Sequence, residues 1–254
     1  MTHYPFPDSR GTKIAFAAFF TAMLFLARDS MFTTAVIGFE KAQFLMLGVI
    51  CLLGAAFLIV NRRNLLKILK DRRMIVAGIA AAVLLLPMLV KRDWQLMYFS
   101  VLLCLLTAVL LSYCLTVREA AKYYVAILSL LGAYSVLAAY ILRIGVDKGA
   151  YAVPVFQNSM GFEFHNFFLS IVPDTYVKNR NFGIFREPGV YQFFLITALY
   201  LNNYEVEWKK PWQLWLVNGI LAATMVSTFA TGGVAEMGLL AVVLFFRSEE
   251  RRVG

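Results

Sequence analysis

The chain has 254 residues, 61% of them hydrophobic and only 15% charged, with a mean hydropathy of +0.71. That leaves too little polar surface for an ordinary soluble domain of this length. The net charge of +9 reads as loop lysines and arginines beside anionic lipid, not as a nucleic-acid footprint. Apolar runs near twenty residues recur along the whole chain, the length a helix needs to cross a bilayer. Barrel strands would alternate instead. Continuous runs predict an all-α fold, a polytopic bundle forming one membrane domain over residues 1–254.

The opening Met1–Gly11 is polar and carries Pro5 and Pro7. No small-x-small cleavage pattern follows the first apolar run, so that run is expected to be a retained helix. Eight spans are expected in chain order: Lys13–Ala27, Ala42–Val60, Met74–Val90, Leu96–Val117, Tyr124–Leu142, Gly189–Asn203, Trp212–Ala230 and the shorter Val234–Phe246. Cys51, Cys104 and Cys114 all fall inside apolar runs and have neither disulfide nor metal spacing. With the N-terminus cytoplasmic, the cytoplasmic segments hold 15 of the 24 basic residues, most densely in "NRRNLLKILKDRR" (Asn61–Arg73). The positive-inside rule then sets the orientation. Trp94, Tyr98, Tyr123, Tyr124, Trp208 and Trp212 flank spans as interfacial aromatics.

The long connection of about residues 143–188 is external on this topology, and loops of that length are commonly functional or disordered. Its many phenylalanines argue for order. "FEFHNFFLSIV" (Phe162–Val172) is expected to lie on the outer membrane surface as an amphipathic piece. Solute transport leaves ionisable groups near the midplane, but the interiors of the first seven spans hold none, and Glu236 sits near the outer end of the eighth. The unusual charges collect outside instead: Glu163, His165, Asp174, Lys178, Arg180, Arg186 and Glu187.

Two stretches stand out. In "RNFGIFREPG" (Arg180–Gly189), Pro188 suits the first turn of a helix and Glu187 its positive end. That accounts for Pro188 and Gly189, whereas the combination of Arg180, Arg186 and Glu187 favours chemistry. In "TMVSTFATGG" (Thr224–Gly233), Thr224, Ser227, Thr228 and Thr231 share one helix face. Close packing by small residues and a polar binding face both fit that pattern.

Together these stretches resemble the Wzy-type O-antigen and capsular polysaccharide polymerases, within the O-antigen ligase and polymerase superfamily. "RNFGIFREPG" is similar to a family pattern of Arg-x-x-Gly-x-Phe-x-Glu-Pro closing a large external loop. "STFATGG", two spans later, is similar to a Ser-Thr-rich stretch ending in Thr-Gly. The resemblance covers about Arg180–Gly233. The chain is shorter than such proteins, and its tail "RSEERRVG" continues no pattern, which points to a truncated product with an incomplete site.

The resemblance implies a multi-pass enzyme of the bacterial cytoplasmic membrane. It would join oligosaccharide repeat units carried on undecaprenyl pyrophosphate at the outer face, beside membrane lipid, a flippase and a chain-length regulator. Arg180 and Arg186 are the candidates to clamp the pyrophosphate, since guanidinium forks bind phosphate oxygens bidentately and keep their charge. Lys178 is a further cationic contact. Glu187 is the candidate base or arginine-orienting group, with His165 ranked behind it. Ser227, Thr228 and Thr231 are candidate substrate contacts. A leaving group that departs as an anion requires no cofactor and no metal. The alternatives are the ligase of the same superfamily, a transporter or flippase for the same lipid-linked sugar, and a non-catalytic scaffold.

Overall fold

The computed structural model describes residues 9–27, 30–91, 96–157, 161–174, 180–230, 232, 235 and 238. The described chain is mostly helical, and seven of the eight expected spans fall on helices. The eighth, Val234–Phe246, lies outside the continuously described residues. Phe39–Val60 and Val117–Asp147 are long and apolar enough to cross a membrane, while Val101–Cys114 is apolar but shorter.

The chain divides into two compact units, Met1–Leu26 with Phe39–Ala120, and Ala27–Gly38 with Ala121–Gly254. In the first, α1 (Arg10–Leu26), α2 (Phe39–Val60), the short α3 (Leu65–Leu69), α4 (Arg72–Lys91) and α5 (Leu96–Cys114) follow in order. α2 packs on both α1 and α5, and α4 packs on α5. The basic stretch Asn61–Arg73 makes the turn between α2 and α4. It does not spend all its charge on the surroundings. Arg73 donates to both carboxylate oxygens of Asp71 and, at 2.7 Å, to the Ser112 carbonyl, and lies 4.0 Å from the centre of the Tyr113 ring. The hydrogen bonds from Arg73 hold the Asp71 carboxyl below its ordinary range.

α6 (Val117–Leu137), most of it in the second unit, begins the longest helix among the described residues. It runs through a π-helical turn (Ala138–Leu142) into α7 (Arg143–Asp147), giving 31 continuous residues. The 143–188 connection therefore begins about a turn later than the apolar run suggests. Three short strands follow, β1 (Val155–Gln157), β2 (Glu163–Asn166) and β3 (Ile171–Pro173), in an antiparallel sheet of order β1-β2-β3. Phe164 pairs with Phe156 and Pro173, and His165 with Val155 and Val172. Helices α8 (Pro188–Tyr204) and α9 (Pro211–Ser227) form an antiparallel hairpin, each with proline in its first turn. Asn218 hydrogen-bonds to both Asn202 and Asn203 across the hairpin, and Trp208 Nε1 donates to Asn202 Oδ1.

The chain is mostly helical, as expected, with one small sheet in the 143–188 connection; the strands correct the reading of "FEFHNFFLSIV" as an amphipathic surface piece. The reason is visible in the packing. Phe164 and Ile171 join Met31 and Phe182 in one cluster. Phe167 and Val172 join Ala138 in another, against Tyr134, Leu142 and Val146. A segment apolar on two opposed sides suits strands, whose side chains alternate between faces, better than a helix with one apolar stripe. Among the described residues two non-glycine residues take left-handed backbone, Phe168 (φ 71°) and Phe229 (φ 48°), and both are exposed. Each costs roughly 1 kcal/mol or more.

Candidate functional site

The stretch "RNFGIFREPG" divides sharply by burial. Arg180 is exposed, Asn181 to Phe185 are all buried, and Arg186 and Glu187 are exposed again. The charged residues are therefore the two ends of a five-residue plug. Phe182 packs edge-on to Phe164. Phe185 stacks on Phe194 at 4.4 Å and lies 5.4 Å from the Tyr191 ring. Main-chain bonds stitch the plug on three sides. The Asn181 N–H donates to the Ser227 carbonyl at 3.0 Å, Ile171 N–H to the Gly183 carbonyl at 2.7 Å, and Met31 N–H to the Ile184 carbonyl at 2.8 Å.

Asn181 is the hub beneath the site. Its amide Nδ2 donates to Ser135 Oγ at 2.8 Å and to Ser227 Oγ at 2.9 Å, while Oδ1 accepts the Gly183 N–H at 2.9 Å. Ser135 Oγ also lies 3.1 Å from the Tyr191 hydroxyl. Beside this knot, Gln192 Nε2 donates to Thr228 Oγ1 and to the Ala230 carbonyl, both at 2.7 Å. Buried polar groups are tolerated when every partner is made and become costly when one is removed. Asn181→Ala is thus expected to cost about 2–3 kcal/mol and to release the plug. Proteolysis within 174–188 in detergent should then outpace the wild type, whereas unchanged digestion would mean that the knot carries no stability.

The expected site residues separate into three groups. Arg180, Arg186 and Glu187 flank the plug in the open. Arg186 Nε is 3.9 Å from Glu187 Oε1, with side chains 46% and 64% exposed, so this contact adds little stability. Glu187 caps α8 through its extended backbone, and its carboxylate makes no capping bond. Ser227 and Thr228 lie inside the protein, their hydroxyls donating to the Thr224 and Met225 carbonyls and accepting from Asn181 and Gln192. Their place is support beneath the plug, which favours the packing reading of this face; Thr224 also sits where a Cβ on Gly132 would meet its Oγ1 at 2.8 Å. Lys178 and Thr231 lie outside the described residues.

His165 stands apart. Its Nε2 is 3.3 Å from Asp174 Oδ1, and its Nδ1 is buried without a hydrogen-bond partner. With one nitrogen facing Asp174 and the other enclosed, the imidazole ties β2 to the end of β3. Asp174 is tied in turn to α7: Arg143, 5% exposed, donates to its carbonyl at 2.9 Å and pairs with Asp147 at 3.5 Å. Among the described residues no group of three His, Cys, Asp or Glu side chains is placed to hold a metal ion.

Sequence reasoning overlooked Asn181, Ser135, Tyr191, Gln192 and Arg143. Gln192 alone carried a usable signal, an amide in the first turns of an otherwise apolar helix, where it needs a partner. No family model, curated protein or solved structure matches this chain.

Proposed function

We propose that this chain is a multi-pass membrane glycosyltransferase of the Wzy type, crossing the bilayer about eight times with the 143–188 loop outside. It would polymerise undecaprenyl-pyrophosphate-linked repeat units at the outer face of the cytoplasmic membrane. One observation supports this most: two arginines and a glutamate stand exposed at the ends of a buried, hydrogen-bonded plug, with Arg186 and Glu187 directly before the mostly apolar α8. Such groups lie at headgroup depth when that helix enters a membrane, and a lipid pyrophosphate lies at the same depth. Preorganised cations aimed at a developing anion are among the largest contributions an enzyme makes to catalysis.

In the proposed step an acceptor sugar hydroxyl forms a bond to the anomeric carbon of the donor chain. The bond from that carbon to the pyrophosphate oxygen breaks, and undecaprenyl pyrophosphate leaves with the electron pair. The hydroxyl proton passes to Glu187 or to water. Arg180 and Arg186 hold the leaving oxygens. The ligase alternative uses the same groups with a different acceptor.

Deleting the gene and profiling glycan length tests the reading. Loss of the long-chain ladder with single-unit product retained is expected. Loss of all glycan transfer would shift the assignment to the ligase, and an unchanged profile would remove both. The topology has its own check: Lys148→Cys should react with a membrane-impermeant maleimide in spheroplasts, and Lys67→Cys should not. The reverse pattern would place the plug on the wrong side of the membrane.

A further inference from the structure

The left-handed, exposed Phe168 sits at the tip of the β2–β3 hairpin, and the hairpin's alignment with the long helix sets its depth. At the open end of the hairpin, the Asp174 carbonyl accepts from Arg143 at 2.9 Å. At the tip, the Phe167 carbonyl accepts from the Tyr134 hydroxyl at 2.6 Å. The hairpin therefore runs back along the helix from Arg143 towards Tyr134. Nine residues separate those positions, about 13 Å at 1.5 Å per residue. The helix carries no charge between Lys122 and Arg143, a run of about 30 Å, matching the hydrocarbon thickness of a bilayer. If Arg143 marks the outer boundary of the hydrocarbon, Tyr134 and the hairpin tip lie within the outer leaflet.

The tip is built for that depth. The amides of Phe167, Phe168 and Leu169 all find acceptors inside the hairpin: the Ser170 carbonyl, Asn166 Oδ1 and the Phe167 carbonyl. Backbone at membrane depth must be satisfied in this way. The charges, Arg143, Asp147, Asp174 and Glu163, gather at the other end. Phe167 is buried against the helix, while Phe168 is 80% exposed and points away from the core. A left-handed phenylalanine presented to water is costly without return, whereas one presented to acyl chains gains burial.

We propose that the β2–β3 hairpin dips into the outer leaflet, with Phe168 seated among lipid acyl chains, so that the external loop is anchored to the membrane at its tip. This rests on the membrane-spanning reading of the Val117–Asp147 helix. It requires neither polymerase activity nor any role for the arginines.

The test uses the full chain with Phe168→Trp in lipid vesicles, measured against the wild type, whose four tryptophans supply the background. The added fluorescence should lose most of its intensity in vesicles of lipid brominated on the acyl chains. Aqueous iodide should leave it nearly unchanged. An added signal quenched by iodide and indifferent to brominated lipid overturns the proposal and leaves Phe168 facing water or an aqueous partner. Leu130→Trp, at an exposed position of the Val117–Asp147 helix, separates the two levels of failure. Should that tryptophan also ignore brominated lipid, the spanning reading fails together with this one. Bromine quenching at Leu130→Trp alone confines the failure to the hairpin. Phe168→Asp, with the fold checked by circular dichroism, should expose the 161–174 segment to protease in vesicles. A wild-type digestion pattern counts against the anchor.

Discussion

Replacing Gly183 with alanine should destabilise the protein strongly. Two independent demands meet at this position. The backbone is left-handed, at φ 56°, and a Cβ would stand 2.6 Å from Cε1 of Tyr191. The first demand costs about 1–2 kcal/mol for a non-glycine residue, and the second about 1–3 kcal/mol of overpacking. Tyr191 has no room to yield: it is 1% exposed, packed on Phe185 and bonded to Ser135. A loss of about 2–5 kcal/mol is a large part of a domain's total stability. The thermal midpoint in detergent should fall clearly for Gly183→Ala. Gly189→Ala is the control, because that glycine opens α8 with nothing within 4 Å of a Cβ, and its midpoint should stay or rise slightly. Equal midpoints for the two variants would show that the plug is not held as described.

The second large effect concerns activity. Arg180→Ala and Arg186→Ala should each lower polymerisation roughly ten- to a hundredfold. A charge-assisted contact is worth about 1.5–3 kcal/mol, and each 1.4 kcal/mol realised in the transition state is about tenfold in rate. Both side chains are exposed, so protein levels in the membrane should not change, in contrast to Gly183→Ala. Arg180→Lys should recover only part of the activity, since a point charge lacks the planar fork. Glu187→Gln divides the two roles of that residue. A base loses nearly all activity, whereas a group that only orients Arg186, 3.9 Å away, loses less. Normal glycan ladders for both alanine variants at normal protein level would reduce the arginines to an interfacial anchor.

The helices were legible because unbroken apolar runs carry their own signal, and Pro188 marks the start of α8 as proline does at a first turn. The sheet was not, because Phe164, Phe167, Ile171 and Val172 serve two clusters on opposite sides. Their spacing shows neither a clean alternation nor a helical stripe. At the site, the charges of "RNFGIFREPG" stand out in the sequence, while the residues between them make the structure. Asn181 finds Ser135 and Ser227 46 positions away on either side, and such pairings leave no local trace. The Ser-Thr face of α9 was visible as a pattern, but its burial under the plug depended on Asn181 and Gln192. Gly183 was visible as a motif glycine, though the ring it must clear belongs to the next helix.

The most direct measurement uses the purified full chain in vesicles with a lipid-linked repeat unit on undecaprenyl pyrophosphate, followed by chain length and by release of the lipid carrier. The account predicts a ladder of oligomers, with one undecaprenyl pyrophosphate freed for each unit added, and a sharp loss of both in the Arg180→Ala, Arg186→Ala double variant. Movement of the lipid-linked unit between leaflets with no new glycosidic bond would contradict it, as would a ladder made equally well by the double variant.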